Sequence, residues 1–222
     1  MIRLRIKICG LTCPADAAAA GAAGIDLAGF VFAPGSPRRL DPETAARAAA
    51  ALPEGVRRVG VFVNPSAEEV RRAKRAANLD LLQFHGDEEP GFCRSFGLPF
   101  IKAFRVKGAI DLAFLAGFGA EAVLLDAYCP QARGGTGKTF DWDLAKPAVK
   151  GGLRVILAGG LRPENVTGAL RRVEPWGVDV SSGVEAAPGI KDPGKIREFV
   201  AAVRAVEFSP PGSDRSVFQP GR

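Results

Sequence analysis

Two spacings alternate along this chain. Short apolar runs with period-two alternation are each followed by a longer stretch rich in Ala, Arg and Glu, whose apolar positions recur at helical intervals. The runs predict strands over residues 4–8, 27–32, 58–63, 81–84, 100–104, 122–126, 154–158 and 178–181. The stretches between them predict helices over 14–23, 42–52, 67–77, 88–96, 110–117, 142–149, 163–173 and 193–206. Start signals support several of these. Asp41-Pro42 and Asp192-Pro193 place a capping carboxylate before a first-turn proline, and Ser66-Ala-Glu-Glu69 has the form of a capping box. Eight β-then-α units in succession need parallel strands joined by crossover helices. No G-x-G-x-x-G follows the first strand, and the last two strands both end in small-residue corners. The pattern therefore predicts an α/β fold, a single (β/α)8 TIM barrel over residues 1–207, in preference to an open doubly wound sheet. Residues 208–222, rich in breakers and without a period, predict a flexible tail.

The two corners carry chemistry of their own. One apolar run closes in Gly159-Gly160, and the run through Val178 and Val180 closes in Ser181-Ser182-Gly183. Small residues directly after strands leave backbone N–H groups uncovered, as a phosphate requires. Either corner alone reads as an ordinary turn; together they point to Gly159, Gly160, Ser182 and Gly183 as a phosphate grip. In a barrel the other candidates are also sought at strand ends. These are Cys9, Arg38 in a Pro/Gly loop, His85, the single histidine, and Asp126. A thiol and a carboxylate can serve as base and acid without a metal, and a guanidinium is shaped to hold a carboxylate. Plainer readings stand beside each: a small core hydrophobe for Cys9, a helix or turn cap for Asp126, a loop-holding hydrogen bond for His85, a solvated side chain for Arg38.

Alternation also places charge inside the barrel. Arg5, Lys7 and Cys9 share one face of the first strand, opposite Leu4, Ile6 and Ile8, and Asp179 lies opposite Val178 and Val180 in the last. Barrel closure makes these strands neighbours, so Lys7 and Asp179 are expected to form an interior ion pair. Lys7 is then expected to lower the Cys9 pKa below the free value of about 8.5. The alternative is a Lys7 that snorkels to the rim.

Composition narrows the class. With 47% hydrophobic and 24% charged residues in 222, the chain can bury one large core like an ordinary soluble protein. No charged-then-apolar leader is present and no apolar run nears the ~18 residues of a membrane span, so no membrane partner is expected. Cys9, Cys13, Cys93 and Cys129 show no Cys-x-x-Cys spacing, which argues against structural zinc or disulfides and for a reducing, cytoplasmic setting. The net charge of +6 is spread over helical stretches, as at Arg71, Arg72, Lys74 and Arg75, with no gathering of aromatics. That reads as solvated helix faces, and no nucleic-acid partner is expected. Residues 132–139 approach a P-loop pattern, with Ala132 where glycine belongs. No strand directly precedes them, so they read as a mobile loop over an active site, and no nucleotide, metal or other cofactor is expected.

Taken together, Lys7-Ile-Cys-Gly10, Gly29-Phe-Val-Phe32 with Ser36-Pro-Arg38, Val59-Gly-Val-Phe-Val-Asn64, Leu82-Gln-Phe-His-Gly-Asp87, Leu124-Leu-Asp126, Gly134-Gly-Thr-Gly-Lys-Thr-Phe-Asp-Trp142, Ala158-Gly-Gly-Leu161 with Pro163-Glu-Asn165, and the segment from Val178 to Glu185 resemble the phosphoribosylanthranilate isomerase family of tryptophan biosynthesis. The resemblance runs from Arg5 to about Val206. Ala33-Pro-Gly departs from the family's aromatic-containing version of that loop, changing what is offered to an anthranilate ring. The resemblance implies an Amadori rearrangement of a phosphorylated aminosugar, with Asp126 as general acid and Cys9 thiolate as general base. Arg38 would hold the substrate carboxylate, and the four corner residues its phosphate. A thiol–carboxylate pairing counts against a related barrel isomerase of histidine biosynthesis, which would be expected to use two strand-end aspartates. Monomer and homodimer both stay open.

Overall fold

Eight parallel strands close on themselves in chain order: β1 (Arg5–Cys9), β2 (Leu27–Val31), β3 (Arg57–Phe62), β4 (Leu81–Phe84), β5 (Phe100–Val106), β6 (Ala122–Ala127), β7 (Val155–Leu157) and β8 (Gly177–Val180). This is a computed structural model that describes residues 3–106, 108–127 and 141–206. The glycine-rich segment 132–139 and the tail 208–222 lie outside the described residues. Helices α1 (Pro14–Ala22), α2 (Pro42–Ala50), α3 (Ala67–Ala76), α4 (Pro90–Arg94), α5 (Leu112–Gly117), α6 (Lys146–Lys150), α7 (Pro163–Val173) and α8 (Pro193–Arg204) alternate with the strands. Among the described residues no helix is long and apolar enough to cross a membrane.

The predicted elements recur, with differences that have local causes. The capping box forms at Ser66 and Glu69, and Asp41 and Asp192 accept from first-turn N–H groups of α2 and α8. The single helix predicted over 142–149 is instead a 3₁₀ turn, Trp142–Ala145, followed by α6. Pro147 lacks an N–H and is accommodated in a first turn, so the α-helix starts beside it. The helix predicted over 88–96 is the short α4, because Glu88 is drawn into the interior before the helix begins. Two short strands, β9 (Glu185–Ala187) and β10 (Ile190–Lys191), form an antiparallel hairpin between β8 and α8 where none was expected.

Alternation sorts the core into two layers. Ile6, Ile8, Phe30, Phe84, Val178 and Val180 pack outward among the helix side chains. Leu27, Val31, Val59, Leu81, Ile101, Leu124 and Ile156 fill the barrel interior, with Cys9 at its upper end. Lys7 is fully buried, as the alternation requires. Arg5 is on the same face but reaches the lower mouth, where it is exposed and 3.2 Å from Asp26.

A second buried cation supports the upper rim. Lys102 Nζ donates to Glu88 Oε2 at 3.1 Å and to the Gly86 carbonyl at 2.8 Å, and Glu88 accepts from the N–H groups of Asn64 and Gly86. This ties the segment after β4, which carries His85, to β3 and β5. Removing one partner of a buried, hydrogen-bonded pair costs about 3–5 kcal/mol. Glu88→Ala should therefore lower Tm by roughly 10 °C, whereas Glu43→Ala, which breaks an exposed pair with Arg72, should leave it nearly unchanged. Equal effects in thermal unfolding would refute the assignment.

Candidate active site

The carboxyl ends of the strands open into a cleft, the place where barrel enzymes carry their sites. Cys9, Arg38, His85, Asp126, Asp179, Gly159, Gly160 and Ser182 all line it. Lys7 lies below, filling the barrel beneath Cys9. Gly183 is not part of the lining; it sits in the 3₁₀ turn Ser182–Val184, where any Cβ would run into the Leu161 carbonyl. A glycine there lets the two corners approach each other.

The β1–β8 seam carries the expected pair. Lys7 and Asp179 are register partners, and Lys7 Nζ donates to Asp179 Oδ1 at 3.0 Å. Burial alone would push the ammonium down, but Asp179 and Cys9 beside it hold it above its usual range. Lys7 therefore stays charged inside the barrel. Gly29 on β2 leaves the space for this group: a Cβ there would lie 3.0 Å from Cys9 Sγ and 3.1 Å from Lys7 Nζ. The expected lowering of the Cys9 pKa is not met. Burial, with the Asp179 carboxylate adding to it, pushes the thiol up by more than Lys7 and Lys191 pull it down. Counting cations in the sequence omits desolvation, which here is larger.

On the opposite wall, His85 Nε2 lies 3.4 Å from Asp126 Oδ2. Gln83 Nε2 lies 3.3 Å from His85 Nδ1, so the amide holds the ring from the side away from Asp126. Gln83, two residues before His85 on the same inward face, was not among the sequence candidates; its alternation partner could have pointed to it. At the glycine corner after β7, Asn165 Nδ2 donates to the Gly160 carbonyl at 2.9 Å and its Oδ1 accepts from Arg162 N–H at 2.9 Å. The side chain pins the turn that exposes Gly159 and Gly160.

Arg38 is 8% exposed and engaged. Its Nε and Nη2 donate to the two oxygens of Glu185, each at 2.7 Å. Its aliphatic stem crosses Gly10 (φ 77°), where a Cβ would collide with it. Glu185 Oε1 also accepts from Lys191 Nζ at 2.7 Å. Burial would raise the Glu185 carboxyl, but Arg38 and Lys191 hold it below its usual range. Lys191 is 3% exposed, and burial pulls its ammonium down against the support of Glu185. Sequence reading missed Glu185 and Lys191 as site residues, because the strands bearing them are too short to show a period. Ala33 lines the cleft.

A closed (β/α)8 barrel with titratable groups and glycine corners gathered at the carboxyl end of its strands defines a barrel enzyme built around a small-molecule cleft. The family model for N-(5′-phosphoribosyl)anthranilate (PRA) isomerase matches residues 6–202, and the chain belongs to that family. An N-(5′-phosphoribosyl)anthranilate isomerase of Trichlorobacter lovleyi is 50% identical over 197 residues, covering 89% of this chain and 96% of that protein. The phosphoribosyl anthranilate isomerase of Thermus thermophilus superposes with a TM-score of 0.84 at 42% identity, over 90% of this chain and 98% of that one. A further family structure, in complex with reduced 1-(o-carboxyphenylamino)-1-deoxyribulose 5-phosphate, superposes at 0.81 with 38% identity, over 91% of this chain and all of that one.

The Cys9 environment has a measurable consequence. A thiol held up by burial should be alkylated by iodoacetamide with a midpoint above the free value of about 8.5. Lys7→Met removes the main cation lowering it, so the midpoint should move higher still in protein shown folded by circular dichroism. A midpoint unchanged by Lys7→Met would end the claim that Lys7 acts on Cys9.

Proposed function

We propose that this chain catalyses the Amadori rearrangement of N-(5-phosphoribosyl)anthranilate to 1-(2-carboxyphenylamino)-1-deoxyribulose 5-phosphate, a step of tryptophan biosynthesis in the cytoplasm, by metal-free acid–base catalysis. The observation that carries the reading is that one cleft is lined by a thiol, a carboxylate, a guanidinium and a paired glycine–serine corner. The complex of a relative with a reduced aminoketose phosphate supports the substrate class.

The steps follow from these groups. Asp126 donates a proton to the furanose ring oxygen; the C1–O bond breaks and the nitrogen lone pair forms an iminium. The iminium acidifies the proton on C2. Cys9, as thiolate, removes that proton, and the electrons left on C2 neutralise the iminium to give an enolamine, which tautomerises to the ketone. Arg38 holds the anthranilate carboxylate, and N–H groups around Gly159, Gly160, Ser182 and Gly183 hold the phosphate. His85 supports Asp126, and the pair of Lys7 and Asp179 lies beneath Cys9.

Purified protein should abolish the fluorescence of freshly made phosphoribosylanthranilate at the same rate with and without EDTA. Loss of turnover on chelation, restored by a divalent ion, would remove the metal-free mechanism. Cys9→Ala and Asp126→Asn should each lower kcat by at least about 100-fold, while Arg38→Ala should mainly raise KM. Near-normal turnover by Cys9→Ala would eliminate the thiolate as base.

A further inference from the structure

Arg38 enters the cleft already paired with a carboxylate, yet it is assigned to bind a second one. A buried Arg–Glu pair is neutral. Adding an anionic substrate to it would leave net negative charge in a water-poor site, which is costly. The third member of the cluster changes the count. Lys191 donates to the same Glu185 oxygen that Arg38 Nε uses, and all three side chains are buried. Two cations and one anion leave one unit of positive charge at the wall of the cleft. A substrate carboxylate brings the cluster to neutrality.

The hydrogen-bond pattern fits the same division of labour. A guanidinium has five N–H donors. Glu185 takes Nε–H and one hydrogen of Nη2, the side edge of the fork. The end edge, with the other Nη2 hydrogen and those of Nη1, is the pair of parallel donors a carboxylate takes bidentately. Lys191 is fixed independently. Its Nζ also donates to the Ser181 carbonyl at 3.1 Å, and its backbone N–H donates to Asp16 Oδ2 at 3.1 Å. The neighbouring Gly189 carbonyl accepts from Thr12 Oγ1 at 2.6 Å. The β9–β10 hairpin thus joins the loop after β1, the start of α1 and the phosphate corner.

We propose that Glu185 and Lys191 are positioning residues for substrate recognition: Glu185 orients Arg38 by its side edge, and Lys191 offsets Glu185 so that Arg38 keeps a net positive charge for the anthranilate carboxylate. The proposal rests on the isomerase reading and adds to it the residues that make the carboxylate subsite selective.

The test uses two ligands, reduced 1-(2-carboxyphenylamino)-1-deoxyribulose 5-phosphate and the same compound without the ring carboxyl, with dissociation constants from calorimetry. Wild-type binding of the first tests the isomerase reading; its absence would overturn that reading, and this proposal with it. Given wild-type binding, Lys191→Met should weaken the carboxylate ligand about 10- to 100-fold, the scale of losing one partner of a buried charge cluster, and the carboxyl-free ligand far less. Lys191→Arg should restore the difference. The double variant Lys191→Met/Glu185→Gln returns the cluster to a single positive charge, and the side-chain amide it introduces can still accept from Arg38. It should bind the carboxylate ligand more tightly than Lys191→Met alone. If Lys191→Met does not fold, the double variant, which leaves no carboxylate unpaired, should bind within about tenfold of wild type. Equal losses for both ligands, or a double variant weaker than the single, would show that the hairpin only holds the rim in shape and would overturn the proposal.

Discussion

The ion pair across the closing seam constrains more of this molecule than any other contact. β1 and β8 are the two ends of the sheet, and the barrel exists only if they meet in one register. Lys7 is fully buried and opposite Asp179, at 3.0 Å. A one-residue slip would turn one partner toward the helices and the other inward, and a slip of two would separate them along the interior. Either way a buried ammonium would lose its counter-charge, at a cost far above that of an apolar mismatch. The pair thus selects the register, and the register sets the height of Cys9 at the rim and of the Ser181–Ser182 corner beside it. The geometry of the candidate site and the closure of the barrel depend on the same two side chains.

Most of the barrel was legible because it rests on short-range rules. Period-two alternation, first-turn prolines and capping carboxylates mark units whose ends mostly move by only a residue or two between expectation and structure. The Lys7–Asp179 pair was also legible, since alternation plus closure leaves an inward lysine little else to meet. The features that escaped reading come from long-range packing. Glu88 leaves its predicted helix because Lys102, on a different strand, needs a carboxylate in the interior. The hairpin β9–β10 is too short to carry a period, and its meaning lies in contacts with Arg38 and Thr12, more than a hundred residues away. For Cys9 the sequence supplied the right neighbour and the wrong sign, because burial cannot be weighed from spacing.

The upper rim repeats one device at two places. Lys102 meets a carboxylate and backbone carbonyls, and Lys191 meets Glu185 and the Ser181 carbonyl. Each cluster ties a loop that carries a site residue, His85 in one case and Arg38 in the other, to a neighbouring strand or hairpin. Backbone carbonyls in such clusters satisfy the ammonium hydrogens that a single carboxylate cannot reach. The loops of this face are therefore held by charge as well as by apolar packing.

The raised Cys9 thiol bears on the order of events in the proposed reaction. Before ring opening a thiolate at this depth would be poorly hydrated, and burial together with the Asp179 carboxylate outweighs the pull of Lys7 and Lys191, so the protonated form prevails. Ring opening changes this. Proton transfer from Asp126 converts the substrate nitrogen to an iminium, placing a new positive charge one carbon from the proton to be removed. That charge favours loss of the thiol proton to solvent at the open mouth of the cleft, leaving the thiolate when it is needed, and it vanishes as the enolamine forms, so the stabilisation is greater near the transition state than in the resting complex. A thiol of high intrinsic pKa is also the stronger base once ionised. Desolvation of Cys9 and ring opening by Asp126 are thus parts of one sequence, in which the acid step creates the electrostatics that the base step uses.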